Sequence, residues 1–380
     1  MKQSIQAYVA EHIDELFDLL KDLCSIPAPS HHEEKRAEFC RAWLEAAGAR
    51  SVYIDDAKNV VFPYGCENSN EISVFFAHTD TVFPDTEPMP LVDDGENLRC
   101  PGICDDTANL AVLLMTAKFL LEQKIIPPHG ILFVCNSCEE GLGNLKGARQ
   151  IFADYAGRVK QFVTFDGHFQ DLADRCVGSH RYEVELRTEG GHSYEDFGNC
   201  NAIAELSRLI TEIYAIDVPT VGNSKTTYNV GIIEGGTSVN TIAQSAKMLC
   251  EYRSDNEDCL AVMQQNFETI FANAKARGLD VTVKKIGDRP CMGKVDLEKI
   301  DQMASIATEI ITRNMGISVG RVPMSTDANI PLSLGIPSIC LGVCEGGGMH
   351  TREEWLVKKS YHLGLLVGIE TVIALTKENN

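Results

Sequence analysis

No uninterrupted apolar run in this 380-residue chain is long enough to cross a bilayer; the best, Leu110–Met115, falls far short of the roughly 20 residues a spanning helix needs. The N-terminal stretch MKQSIQAYVAEHIDELFDLL has neither an apolar signal core nor a small-residue cleavage site, so a cytoplasmic location without a membrane partner is expected. Positive charge is scarce. Lys and Arg number 34 against 54 Asp and Glu, a net charge of −20 that argues against nucleic acid or an anionic lipid surface as partner. Neither G-x-x-x-x-G-K-[ST] nor G-x-G-x-x-G occurs, which removes the common phosphate-binding loops. Internal repeats, low-complexity tracts and Gly/Ser-rich linkers are also missing. Cysteine is plentiful at 14, but Cys135 and Cys138 have no second pair at zinc-knuckle spacing. Scattered along a long chain, the thiols read as reduced, mostly buried small hydrophobes.

With 44% hydrophobic and 23% charged residues, the chain can build a core, and its length favours two domains. Helical periodicity opens it, with Leu16, Leu19, Leu20 and Leu23 on one face, continued by Phe39, Trp43 and Leu44. Short apolar runs at 72–77, 131–135, 162–165 and 338–343 then alternate with helical segments at 108–121 and 303–312. That alternation predicts an α/β domain with a mainly parallel sheet and helices on both faces. The middle third reads differently. Tyr182, Val184 and Leu186 alternate with polar residues, a helix carries Leu206, Leu209 and Ile213, and strands follow at 226–233 and 247–253. A second helix carries Leu260, Met263, Phe267 and Phe271, and a strand at 281–286 closes the unit. The order βαββαβ is ferredoxin-like. A lid domain at 177–289 is therefore expected inside a catalytic domain formed by 1–176 and 290–380.

Ligands of open α/β sheets gather beyond the carboxyl ends of the strands. His78 and Asp80 follow one predicted strand, Glu139 and Glu140 a second, and Asp166 a third. His350 lies in the glycine loop after a fourth, and Asp105-Asp106 precede the helix at Ala108. Each has a plainer reading: a hydrogen-bonded strand-end histidine, an acidic helix cap, a solvated turn. Convergence argues otherwise, because so many acids packed together without a cation would be electrostatically costly. The stoichiometry suits two divalent ions, one on His78 and Asp166, the other on Glu140 and His350, with Asp105 bridging. Zinc fits this nitrogen and oxygen set, and cobalt or manganese could substitute. Asp80, two positions from His78, can hold the imidazole, and Glu139 is then free to act as general base on a water whose pKa a metal lowers to about 7.

The segments 25–30 (SIPAPS), 77–81 (AHTDT), 102–106 (GICDD), 138–141 (CEEG), Phe165-Asp166, 190–193 (GGHS), 234–240 (EGGTSVN) and Met349-His350 keep the order of a known family. The chain resembles the dizinc peptidases that include peptidase T, glutamate carboxypeptidase, acetylornithine deacetylase and aminoacylase. The resemblance implies the same ligand roles, a cis peptide at Asp105–Asp106 and a homodimer formed through the lid. It also implies that His192 helps stabilise the tetrahedral oxyanion, often from the partner subunit, and that Asn240 and Arg253 bind the substrate backbone or a carboxylate. Thr107 stands where the family commonly has lysine. The run Ser193–Phe197 and the run Thr227–Gly231 most resemble the peptidase T-like branch, which implies an aminopeptidase acting on small peptides. An N-acyl-amino-acid deacylase or carboxypeptidase uses the same chemistry and remains open. A non-catalytic metal-binding scaffold would have lost a ligand or the base, and none is missing; a two-metal phosphoesterase would want cationic residues that these loops offer sparingly.

Overall fold

The computed structural model describes residues 4–67 and 69–377. The chain folds as two compact units, Met1–Cys176 with Lys294–Asn380, and Val177–Gly293. Among the described residues no helix is long and apolar enough to cross a membrane.

In the first unit an eight-stranded sheet runs in the order Tyr53–Ile54, Val60–Tyr64, Gly130–Asn136, Ile72–His78, Val159–Phe165, Ser338–Leu341, Asp171–Cys176, Gly320–Met324. The four central strands, Gly130–Asn136 to Ser338–Leu341, are mutually parallel. Strands Ile72–His78 and Gly130–Asn136 are buried at every position, as covered parallel strands must be. That is why they read as continuous apolar runs rather than alternations. The helix Ala108–Glu122 is buried everywhere except Lys118, Leu121 and Glu122, and packs on Ile72–His78 and on the last helix, Lys358–Thr376. The helix Leu297–Met315, capped by Asp296 and ended by Gly316 at φ 69°, packs against Ser338–Leu341 and Lys358–Thr376.

The second unit runs strand Gly178–Arg187, helix Ala202–Tyr214, strands Thr226–Gly235 and Ser245–Ser254, helix Glu257–Ala276 and strand Asp280–Arg289. Its antiparallel sheet has the order Thr226–Gly235, Ser245–Ser254, Gly178–Arg187, Asp280–Arg289. Alternate residues of Ser245–Ser254 are buried, and Met248, Cys250 and Tyr252 join Leu206, Leu209, Met263 and Phe267 in one apolar cluster. A sheet covered on one face produces this period of two. A short ribbon pairs Gly191–His192 with Thr241–Ile242.

The architecture is the mainly parallel α/β sheet with a βαββαβ insertion that the sequence pattern predicts. Sequence reading missed a four-stranded sheet of Val92–Asp93, Asn97–Arg99, Gly346–Gly347 and Trp355–Val357. Its strands are too short to carry a pattern, yet it pairs Trp355 with Arg99 and so lays the segment after His350 beside the approach to Asp105.

Candidate metal centre

The parallel register places four strand ends side by side: His78 pairs with Asn136, Phe76 with Thr164, and Phe165 with Leu341. From these ends the chain delivers His78 and Asp80, Glu139 and Glu140, and Asp166. The turn carrying the two glutamates is anchored by Asp80, whose Oδ1 accepts from Glu139 N (3.0 Å) and Oδ2 from Glu140 N (3.0 Å) and Ser30 Oγ (2.6 Å). Asp80 also meets the imidazole of His78: Nδ1 is 3.0 Å from the Asp80 carbonyl oxygen and 3.5 Å from its carboxylate, so the backbone and the carboxylate both face the ring while the carboxylate also holds the glutamate turn. Cys138 enters that turn at φ 57° and His350 sits at φ 63°, a left-handed conformation that costs a non-glycine residue energy and concentrates at functional sites. Buried Arg36 donates to Leu23 O, Ile26 O and Thr79 O, tying the first helix to the loop after His78.

Asp105 is the hub. Its Oδ1 lies 3.0 Å from His78 Nε2 and its Oδ2 3.0 Å from His350 Nε2, one oxygen to each imidazole. His350 Nε2 is 3.5 Å from Glu140 Oε1. Candidate ligand atoms of His78, Asp105 and Asp166 lie within 4.8 Å of one another, as do those of Asp105, Glu140 and His350, and those of His78, Glu139 and Glu140. The structure thus brings together all five sequence-nominated ligands and the nominated base. All are buried except His350, whose side chain is 58% exposed. Neither acid of the Asp105-Asp106 pair caps the helix at Ala108; the peptide bond between them is cis.

Electrostatics show why this cluster wants cations. Burial and Asp105 push the Glu140 carboxyl up to about 8. Hydrogen bonds to Asp105 and Glu140 raise His350 to about 10. Burial opposes charge on His78, but Asp106, Asp105 and Asp80 raise it well above the imidazole range. Burial would raise Asp105, but His350 and His78 hold it well below the carboxylate range. The raised values on Glu140, His350 and His78 have one cause, negative charge crowded into a buried space, and each favours added positive charge. Buried Glu140 Oε1 has only the long 3.5 Å approach of His350 Nε2 to satisfy it, which points the same way. A nitrogen and oxygen donor set with this excess of carboxylate fits a pair of divalent ions.

Three residues to which sequence reasoning assigned no role shape the centre. Asp106 takes His78 N (2.8 Å) on one oxygen and Asn109 Nδ2 (2.6 Å) on the other, so it fixes backbone. Asp327 is buried beside Asn136 Nδ2, with its carboxyl pushed well up by burial and Glu139. Glu354 is fully buried and accepts from Gly102 N (2.8 Å), Cys104 N (2.7 Å) and Asp105 N (2.9 Å), cradling the loop that presents the hub. The acid four positions after His350 was the only signal, and its partners are backbone groups that sequence does not display.

The remaining nominated residues lie in the second unit. His192 and Asn240 are neighbours on the two-stranded ribbon, where Ser193 N donates to Asn240 O at 3.0 Å. His192 Nδ1 accepts from Tyr194 N and Glu195 N, both at 3.3 Å, which leaves Nε2 to carry the ring proton. Gly190 and Gly191 precede it at φ 65° and 139°; a Cβ on Gly190 would meet Gln244 Cγ at 2.2 Å. Arg253 is ion-paired to Glu251 at 2.8 Å, and Arg181 reaches the other Glu251 oxygen at 3.1 Å.

The family model described as peptidase family M20/M25/M40 matches residues 74–373. The succinyl-diaminopimelate desuccinylase of Corynebacterium glutamicum is 23% identical over 88% of this chain and 90% of its own length. A tripeptidase from Staphylococcus aureus superposes with a TM-score of 0.75 at 22% identity, covering 95% of this chain and 98% of that one. A dinuclear metal-binding peptidase from Bacillus subtilis superposes with a TM-score of 0.64 at 16% identity, covering 97% of this chain and 99% of that one.

Proposed function

The chain belongs to peptidase family M20/M25/M40, metallopeptidases and amide hydrolases of small substrates, and from that membership and the centre's geometry we propose that it is a peptidase T-like aminopeptidase using two zinc ions. The carrying observation is Asp105, which offers one oxygen to the His78 side and one to the His350 side, with Asp166 and Glu140 closing the two donor groups.

Two divalent ions in these groups would supply Lewis acidity toward the scissile carbonyl and lower the pKa of a water at the centre. The protein's own residues do the rest. Glu139, held on the turn that Asp80 anchors, accepts the proton of the attacking water on its carboxylate and returns it to the leaving nitrogen. Asp80 orients His78 through its carbonyl. His192 carries its proton on Nε2 and donates it as a hydrogen bond to the developing oxyanion. Asn240 and Arg253 take the substrate backbone or a carboxylate, with Glu251 holding the guanidinium in place until substrate arrives.

Glu139→Gln is expected to keep its metal content by elemental analysis and to lose about 10²–10⁴-fold in kcat; near-normal turnover excludes the role. A panel of tripeptides, dipeptides and N-acyl amino acids with added zinc or cobalt decides the substrate. Preference for tripeptides supports the aminopeptidase reading, and preference for N-acyl amino acids moves the chain to the deacylases, the class of its C. glutamicum relative.

The unit Val177–Gly293 is proposed to be the dimerisation domain of a cytoplasmic homodimer. Supporting this, Tyr194, Phe197 and Val239 around the ribbon are 86%, 89% and 102% exposed. Ile232 and Ile233 are also exposed, on the edge strand Thr226–Gly235.

A further inference from the structure

One residue before Asp105 the chain carries a second kind of donor. Cys104 is buried, its Sγ 3.2 Å from the Trp355 carbonyl oxygen. Cys344, three residues past the strand Ser338–Leu341, is buried with its Sγ 3.4 Å from the Gly167 carbonyl oxygen. His168 lies two residues past Asp166, and its Nε2 is buried without a hydrogen-bond partner. Ligand atoms of these three side chains lie within 4.8 Å of one another. None of the three belongs to the nitrogen and oxygen centre described above, and the proposed mechanism uses none of them.

Three plain readings compete for such a cluster. Two buried thiols could be filler, since cysteine packs as a small hydrophobe. That leaves the imidazole unexplained, because a buried ring nitrogen without a partner is destabilising. A disulfide between Cys104 and Cys344 would need an oxidant and would also leave the imidazole idle. A cation satisfies all three at once. Two thiolates and one neutral imidazole on a divalent ion sum to zero charge, the condition under which a buried ionic group is tolerated. The donor type selects the ion, since paired thiolates with one imidazole favour thiophilic, redox-inert zinc over hard cations. The required movement is small. Sulfurs bound at about 2.3 Å in a tetrahedron stand roughly 3.7 Å apart, about 1 Å inside the present upper limit. The elements carrying the ligands are rigid: the loop of Cys104 is fixed by Glu354 through Cys104 N at 2.7 Å, and Cys344 O accepts from Phe169 N at 3.1 Å.

We propose that Cys104, His168 and Cys344 form a third metal site, which takes one zinc ion, beside the two-metal centre. Binding a divalent ion displaces two thiol protons to solvent, and the fourth coordination position is open to water. Through Cys104 the site adjoins Asp105, so its ion braces the loop that presents the hub without touching substrate.

Cobalt reads the site directly, because thiolate ligation gives an intense ligand-to-metal charge-transfer band that nitrogen and oxygen donors do not. Reduced, metal-free, full-length protein titrated anaerobically with Co2+ should bind three equivalents, one of them raising that band. Cys344→Ser should bind two equivalents with the band gone, and His168→Asn should weaken the band-forming step at least tenfold. Wild-type protein reconstituted with three equivalents of zinc gives an answer that needs no variant to fold. X-ray absorption should show sulfur scatterers at about 2.3 Å, in the proportion expected for one site in three. Two equivalents with no band, a band that survives Cys344→Ser, or zinc surrounded by nitrogen and oxygen alone each overturns the proposal. Uptake of only the thiolate-bound equivalent would instead contradict the two-metal reading and leave this site standing.

Discussion

Glu354 holds the hub by its backbone, accepting from Gly102 N, Cys104 N and Asp105 N. Its carboxyl is pushed up to about 7 by burial and by Asp105, against three backbone N–H groups that favour the charged form. A side chain that accepts three N–H groups around one ligand acts by positioning. Glu354→Gln keeps the shape but turns one acceptor oxygen into an NH2 that faces donors, an arrangement costing about 1–3 kcal/mol. The expected outcome is a metal dissociation constant raised about 10–100-fold, measured by chelator competition, with kcat at saturating metal less affected. Unchanged metal affinity alongside a lower kcat would assign Glu354 another part. The residue also marks where sequence reading stops. His78, Glu139, Glu140, Asp166 and His350 are legible because each follows an apolar run that ends in a loop, and Asp105 because it stands just before an apolar helix. Glu354 is not, because its partners are peptide groups some 250 positions away. The backbone carbonyl of Asp80 escapes notice for the same reason, while its carboxylate draws attention.

Among the elements, the central parallel strands announced themselves because burial on both faces forbids polar interruptions. Asp171–Cys176 and Gly320–Met324 lie at one edge of the sheet and tolerate charge and proline, so they carry no such mark. Neighbouring strand ends must also come close enough for their loops to share ligands, and glycine sets that distance. At Gly342, just past Leu341, an added Cβ would stand 2.1 Å from the Gly167 carbonyl oxygen, so backbone would have to move. Gly342→Ala is therefore expected to destabilise the protein by about 1–3 kcal/mol, as overpacking does. Because Gly167 adjoins Asp166, the same shift should weaken metal retention. Thermal denaturation and chelator competition would record both; a variant as stable and as metal-tight as the parent would show that the two loops are not held at contact.

For the whole molecule, composition and periodicity were enough to separate two kinds of sheet, one covered on both faces and one on a single face. They could not say what the exposed apolar surface of the second unit is for. Tyr194, Phe197, Val239, Ile232 and Ile233 all belong to that unit, and large apolar side chains left exposed together on one unit mark interaction surfaces. An edge strand adds unpaired peptide groups that a second copy of the same strand can satisfy antiparallel, giving an isologous contact that closes on itself. Light scattering coupled to size exclusion should therefore return twice the 41.8 kDa of one chain. Ile233→Lys places a charge on that strand, far in sequence from every nominated ligand, and should shift the protein toward monomer while circular dichroism and bound metal stay as in the parent. A parent that elutes as a monomer at micromolar concentration removes the homodimer. A variant that remains dimeric removes this strand from the interface and leaves the surface around Tyr194 and Phe197 to account for it.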